Sequence, residues 1–352
     1  MGDHLLFYDA PGAQTPAPRK RRFARVLPTV LALALVAAGA IGYLNLQRLL
    51  DQYTAWTFSP SAAVESIVTT SGMTADGRLL FLASKPVIEP TSVFNRSCAE
   101  EQEGSGILGC YLPSDRTIHL FDVTDPRLGG LTDVVAAHEM LHAAWDRMNT
   151  LERQQLIPLL EARATALAGN AAFQERMAYY AKNEPGQRDN ELHSILGTEI
   201  ASLGPALEEH YSRYFTDRHA IVALQTKSDA VFTDLENRSI ALSTAMTATQ
   251  TQIDSEYAAY TAGYSRLNAD VLTFNARTDW TSQTQIDRAQ SALRSRRGVL
   301  DAQYADILVK TDDYNSKYSE LSELIKQTAG LNKALNHGET LQAPAQVSGP
   351  DG

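Results

Sequence analysis

Leu131-Thr-Asp-Val-Val-Ala-Ala-His-Glu-Met-Leu-His-Ala-Ala-Trp145 is the stretch on which the reading of this chain turns. Residues four apart on a helix lie one turn apart on the same face, so His138 and His142 can offer two imidazole nitrogens to one point. Two such nitrogens begin a tetrahedral Zn²⁺ site, and Glu139 then stands beside the metal. Zinc lowers the pKa of a bound water towards about 7, and a neighbouring carboxylate can take the proton as that water attacks a peptide carbonyl. The pattern therefore names His138 and His142 as metal ligands and Glu139 as catalytic base. Val134, Val135, Leu141, Ala144 and Trp145 supply an apolar surface, Asp133 or Thr132 can cap the start, and Gly129-Gly130 stops whatever precedes it. A buried helix is expected here.

Working upstream, Ile107 to Tyr111 and Thr117 to Val123 are short β-rich runs around Pro113-Ser114-Asp115-Arg116, which is a hairpin signal. An exposed strand beside a metal site can hold an extended substrate by strand addition. His119 on the second run reads as a surface or packing residue rather than a ligand. Working downstream, Asn190-Glu-Leu-His-Ser-Ile-Leu-Gly-Thr-Glu-Ile-Ala-Ser-Leu203 has helical spacing and carries Glu191 and Glu199, with His193 between them. A catalytic zinc site wants three protein ligands and one open position, and either glutamate can be the third. A third histidine in the metzincin manner would need Gly at 145 and His at 148, where this chain has Trp145 and Met148.

The helix bearing His138-Glu-Met-Leu-His142, followed about fifty residues later by a Glu-rich helix, resembles the gluzincin peptidases, the thermolysin-like clan. More narrowly, Glu191-Leu-His-Ser-Ile-Leu-Gly-Thr-Glu199, continuing to Leu207 and Tyr211-Ser-Arg-Tyr214, is similar to the glutamate helix of lethal-factor-like peptidases. The resemblance covers about residues 105 to 215. It implies a zincin-like fold, zinc as cofactor, and Glu191 as third ligand, with Glu199 as the alternative ligand or as an acceptor for a ligand histidine. In that family the glutamate is followed by two aromatics, which Leu192 and His193 replace here. Gluzincins also supply a Tyr or His donor for the developing oxyanion. Tyr179, Tyr180, His193, His210 and Tyr211 are the candidates in this chain, with Tyr211 preferred.

Near the N-terminus, Arg19-Lys-Arg-Arg22 and Arg25 precede an uncharged apolar run from about Val26 to Leu46, the length needed to cross a bilayer. The expectation is one retained transmembrane helix at 26–46, a cytoplasmic basic leader at 1–25, and the bulk of the chain extracytoplasmic, in a cell membrane of bacterial-envelope type. Cys98 and Cys110, the only two cysteines, flank an acidic, glycine-containing loop and are expected to close it as a disulfide.

Beyond the peptidase-like region, assigned to 47–220, the chain changes character. Ile253, Tyr257, Tyr260, Tyr264, Leu267, Val271 and Phe274 recur at four and three residues, as do Leu293, Leu300, Tyr304, Ile307, Tyr314, Tyr318, Leu321 and Ile325. Arg277-Thr-Asp-Trp-Thr-Ser282 between them carries turn and N-cap residues. An antiparallel coiled-coil hairpin is expected over 221–336, available to a coiled-coil partner or a second copy, followed by a disordered tail at 337–352. The whole chain reads as α+β and mostly helical. With 352 residues and a formal net charge of −10 it gives no support for nucleic-acid binding.

These residues lead to a membrane-anchored zinc endopeptidase acting on a protein or peptide. The competing class is a non-enzymatic envelope protein whose hairpin binds a partner on a zincin-like scaffold.

Overall fold

The computed structural model describes residues 12, 30–37, 39, 45–98 and 107–335, and the chain divides into two units, Met1–Tyr53 and Thr54–Gly352. The first unit holds a helical run at 30–37 and most of α1 (Leu46–Thr57). Here an expectation is corrected. Among the described residues, no helix is long and apolar enough to cross a membrane. The single-pass anchor and the placement drawn from it are therefore not carried forward. The rest of 26–44, the leader apart from Gly12, and the tail beyond 335 lie outside the described residues.

The second unit is mostly helical with one small sheet, an α+β arrangement. It opens with α2 (Ala62–Thr70) and α3 (Ala75–Ala83), whose N-caps Ser61 and Thr74 accept from the N–H groups of Val64 and Gly77. Strand β1 (Val87–Glu89) and helix α4 (Thr91–Ser97) lead to the expected hairpin, β2 (Gly109–Leu112) and β3 (Thr117–Phe121). The strand order is β1-β3-β2, with β1 parallel and β2 antiparallel to β3, so β2 lies at an edge. His119 on β3 sets its Nδ1 3.1 Å from Glu89 Oε1 on the neighbouring β1. The Cys98–Cys110 disulfide joins the end of α4 to β2, with Cα atoms 6.0 Å apart, inside a small cluster with Phe94 and Phe121.

Helix α5 (Leu131–Arg147) is the centre of the unit. It buries Val134, Ala136, Ala137, Met140, Leu141, Ala143, Ala144 and Trp145, a nearly all-round apolar surface. Each large side chain so buried contributes about 1.5–3 kcal/mol. The helix begins at Leu131 with Gly130 as N-cap at φ +96°, a left-handed turn that glycine adopts without penalty. The expected caps Thr132 and Asp133 consequently fall inside the first turn.

Around α5 lie α6 (Thr150–Ala166), α7 (Ala171–Asn183), α8 (Arg188–Glu199) and α9 (Pro205–Tyr211). Behind α8, His193 Nε2 meets His210 Nε2 at 2.9 Å, and both rings pack against Tyr211 and Tyr214. Burial first, then the Arg213 charge, lowers the His210 pKa from 6.5 to about 4. The sign follows. Above 6.5 both folded and unfolded chains hold His210 neutral, whereas below it only the unfolded chain takes the proton. This histidine's contribution is thus lost as pH falls from 6.5 towards about 4. Thermal melts across that window should show acid destabilisation that is smaller in His210→Gln.

The final pair, α10 (Arg218–Ala276) and α11 (Gln283–Ala334), is the expected helical hairpin, turning at 277–282 with Ser282 as N-cap. At 1.5 Å per residue its longer arm spans about 88 Å. Met246, Ile253, Ile307, Tyr314 and Leu321 form its inner seam, and Tyr260 meets Tyr304 at 5.3 Å. Tyr257 and Tyr264, read as seam residues, are exposed instead. No break occurs at residue 221, which lies within α10. Ile221 belongs to the α5 core, and Leu235, Leu324, Leu331 and Leu335 pack with Leu128 and Leu131.

One residue couples this hairpin to α8. Arg218, 4% exposed, donates to the carbonyls of Ile200 at 2.6 Å and Ala201 at 3.0 Å, and pairs with Glu208 at 2.6 Å. Carbonyls at a helix C-terminus lack intrahelical partners and carry the negative end of the dipole, and a guanidinium answers both needs. The start of α10 thereby holds the end of α8.

Candidate metal centre

Helix α5 aligns His138 and His142 one turn apart, ring centroids 4.7 Å from each other. Helix α8 crosses α5 closely because Gly197 has no side chain: a Cβ there would stand 2.4 Å from Leu141 Cδ1 and 2.8 Å from Tyr211 Cε1. That approach brings Glu191, 1% exposed, to the two histidines. Its Oε1 lies 3.3 Å from His142 Nε2 and its Oε2 3.7 Å from His138 Nε2.

Donor atoms from the three residues all lie within 4.8 Å of one another, and the buried group could hold a metal ion. Bonds of about 2.1 Å around a tetrahedral ion place donors about 3.4 Å apart, close to both spacings. Moreover, Glu191 Oε2 is buried without a hydrogen-bond partner. An acceptor stranded in that way costs about 1–3 kcal/mol unless something else satisfies it, and a cation would. On its far side, His142 Nδ1 meets Asn190 Oδ1 at 2.9 Å and Ser194 Oγ at 3.2 Å, which leaves Nε2 directed at Glu191.

The three groups act on one another electrostatically. Burial presses His142 towards neutrality, yet Glu191 and then Glu139 outweigh it and its pKa is raised. Burial likewise works against the Glu191 carboxylate, but His142 and His138 prevail and its pKa is lowered. For His138 burial wins, and its pKa falls.

Glu139, 6% exposed, faces a cavity of about 560 Å³ shared by His138, His142 and Glu191. Edge strand β2 forms one wall through Gly109, Cys110 and Tyr111; Tyr179 and Tyr180 of α7 form another. The remaining side is the base of the hairpin, through Gln225, Ser228, Asp229 and Phe232. Gly109 matters to Glu139: a Cβ at 109 would sit 2.5 Å from Val135 Cγ1 and 2.8 Å from Glu139 Oε1. Gly109→Ala is expected to displace that carboxylate within the cavity, which a structure of the variant would show.

Other sequence candidates fall elsewhere. Glu199 pairs with Arg176 at 3.3 Å and is not part of the ligand group, although it lines the same cavity. Tyr211 is corrected as oxyanion donor: its ring is fully buried and its hydroxyl donates to the His193 carbonyl at 2.7 Å. His193 and His210 are engaged with each other. Tyr180 lines the cavity, its ring stacked on His138 with centroids 6.4 Å apart. Asn190, Ser194 and Gly109 escaped the sequence reading. The first two stand one residue before and three after Glu191, so the i, i+4 spacing from Asn190 to Ser194 was the signal that could have found them.

Comparison with protein-family models, with curated proteins and with solved structures returns no match for this chain.

Proposed function

We propose that this protein is a zinc-dependent endopeptidase of gluzincin type, with His138, His142 and Glu191 as zinc ligands and Glu139 as general base. The observation that carries the reading is the buried His-His-Glu group, whose donor atoms lie within 4.8 Å of one another, with a carboxylate one residue along α5. Two nitrogens and one oxygen suit zinc, and three protein donors leave a coordination position open. Bound there, zinc would supply Lewis acidity to the scissile carbonyl and the attacking water.

This chain's own groups do the rest. Edge strand β2 offers main-chain groups along the cavity, which supports an extended peptide as substrate. Glu139 accepts the proton of the attacking water and then returns it to the leaving amine. Tyr180 donates to the oxygen on which charge develops. Its burial, then Glu191 and Glu199, raise its pKa well above 10.0, so the hydroxyl keeps its proton. Tyr180→Phe should lower kcat by about 10²-fold, with zinc content unchanged and KM little affected.

The reading is tested on the purified full chain by elemental analysis and by cleavage of an unstructured protein substrate. About one zinc per chain, with cleavage abolished by chelation and restored by zinc, is the expected result. A folded chain that takes up no zinc after reconstitution overturns it.

A further inference from the structure

The cavity extends beyond the metal group, and its far side is acidic. Glu199 at the end of α8 and Asp229 on α10 both line it, with Glu175 and Glu184 at α7 and its C-cap. Among the described residues lining the cavity, Arg176 is the only lysine or arginine. It stands 3.3 Å from Glu199, and its side chain is 40% exposed. Asp229, exposed at the cavity's edge, accepts from the neutral Gln225 Nε2 at 2.9 Å, and its charge acts on both Arg176 and Glu199. Beside it Ser228 is 3% exposed, lines the cavity, and has an Oγ with no hydrogen-bond partner.

Resting on the peptidase reading above, we propose that Glu199, Asp229 and Ser228 form a subsite for a cationic side chain of the substrate, a lysine or an arginine. Two carboxylates facing one arginine leave the site one positive charge short. The Glu199 pKa is consistent with that shortage: burial raises it to about 7, with Asp229 and Glu191 adding to the rise and Arg176 failing to offset it. A substrate ammonium or guanidinium would supply the missing charge and donate to Ser228 Oγ, which otherwise stays desolvated and unpaired. Arg176 indicates the chemistry accepted, because its guanidinium already rests on Glu199. An incoming cation would share or replace that contact.

The test uses the zinc-loaded full chain and paired peptides that differ only in lysine or arginine against norleucine at each position flanking the scissile bond. At one position the basic peptide should show a kcat/KM at least about tenfold higher. Asp229→Asn and Glu199→Gln should each shrink that ratio several-fold, and a ratio is insensitive to any loss of active protein. A ratio near one in the wild type, or one unaltered by both substitutions, overturns the subsite. If no peptide is cleaved, the peptidase reading fails by itself, and calorimetric titration with n-butylguanidinium decides the subsite separately. Saturable binding that Asp229→Asn weakens upholds it; no saturable binding to the folded wild type overturns it.

Discussion

Glu139→Gln is expected to lower the turnover of a peptide substrate by roughly 10³-fold, within the range for losing a general base, while zinc stays bound and KM barely moves. The amide has the size and shape of the carboxylate but cannot take a proton from water near neutrality. Glu139 is 6% exposed on a helix packed on nearly every side, so α5 has no reason to shift. A neutral group is also less expensive to bury than a carboxylate, so a drop in Tm is not expected. Glu139 is not among the three ligands, which separates its role from metal binding. The measurement is single-turnover cleavage beside zinc content on one preparation. Retention of activity to within tenfold, with zinc bound, would remove Glu139 from the mechanism and return attention to the hairpin as the functional element.

How much of this could be read in the chain depends on how far apart in sequence the determining contacts lie. His138, Glu139 and His142 sit within one helical turn, so spacing alone placed them on a common face. The hairpin was equally legible, because its seam periodicity and the Arg277–Ser282 turn are local signals. Strand β1 was not: Val87–Glu89 is a three-residue run beside Pro86 and Pro90, too short for any alternation, and it exists because β3 pairs with it. Nor was the cavity's third wall. Ser228 and Asp229 are about ninety residues from His138, and their heptad-like surroundings read as a self-contained hairpin. They are brought round because Ile221 and Leu235 find core partners beside α5. The apolar run at 26–46 illustrates the opposite failure, since composition suggested a spanning helix that no described helix provides.

The choice between Glu191 and Glu199 lies in the same gap between local and distant information, and it yields the second large effect. Eight residues apart, the two carboxylates differ by about 80° around α8, and only the crossing against α5 decides which faces the histidines. Leu141 and Tyr211 closing over Gly197 set that crossing, and Arg218 holds the helix end. Glu191→Ala should therefore reduce zinc from about one per chain to almost none after dialysis against a mild chelator. A first ligand is lost, which exceeds the 10–100-fold that losing a supporting neighbour costs. Glu199→Ala should retain the metal, because its partner is Arg176. Zinc uptake carries a pH signature as well. Glu191 raises the pKa of His142 despite burial, so below that pKa zinc has a proton to displace before it can bind. Affinity should consequently weaken as pH falls through the raised His142 pKa, releasing a proton per zinc bound in that range. The converse pattern, metal lost with Glu199→Ala and kept with Glu191→Ala, would require α8 to turn by about 80°, which the close contacts at Gly197 oppose.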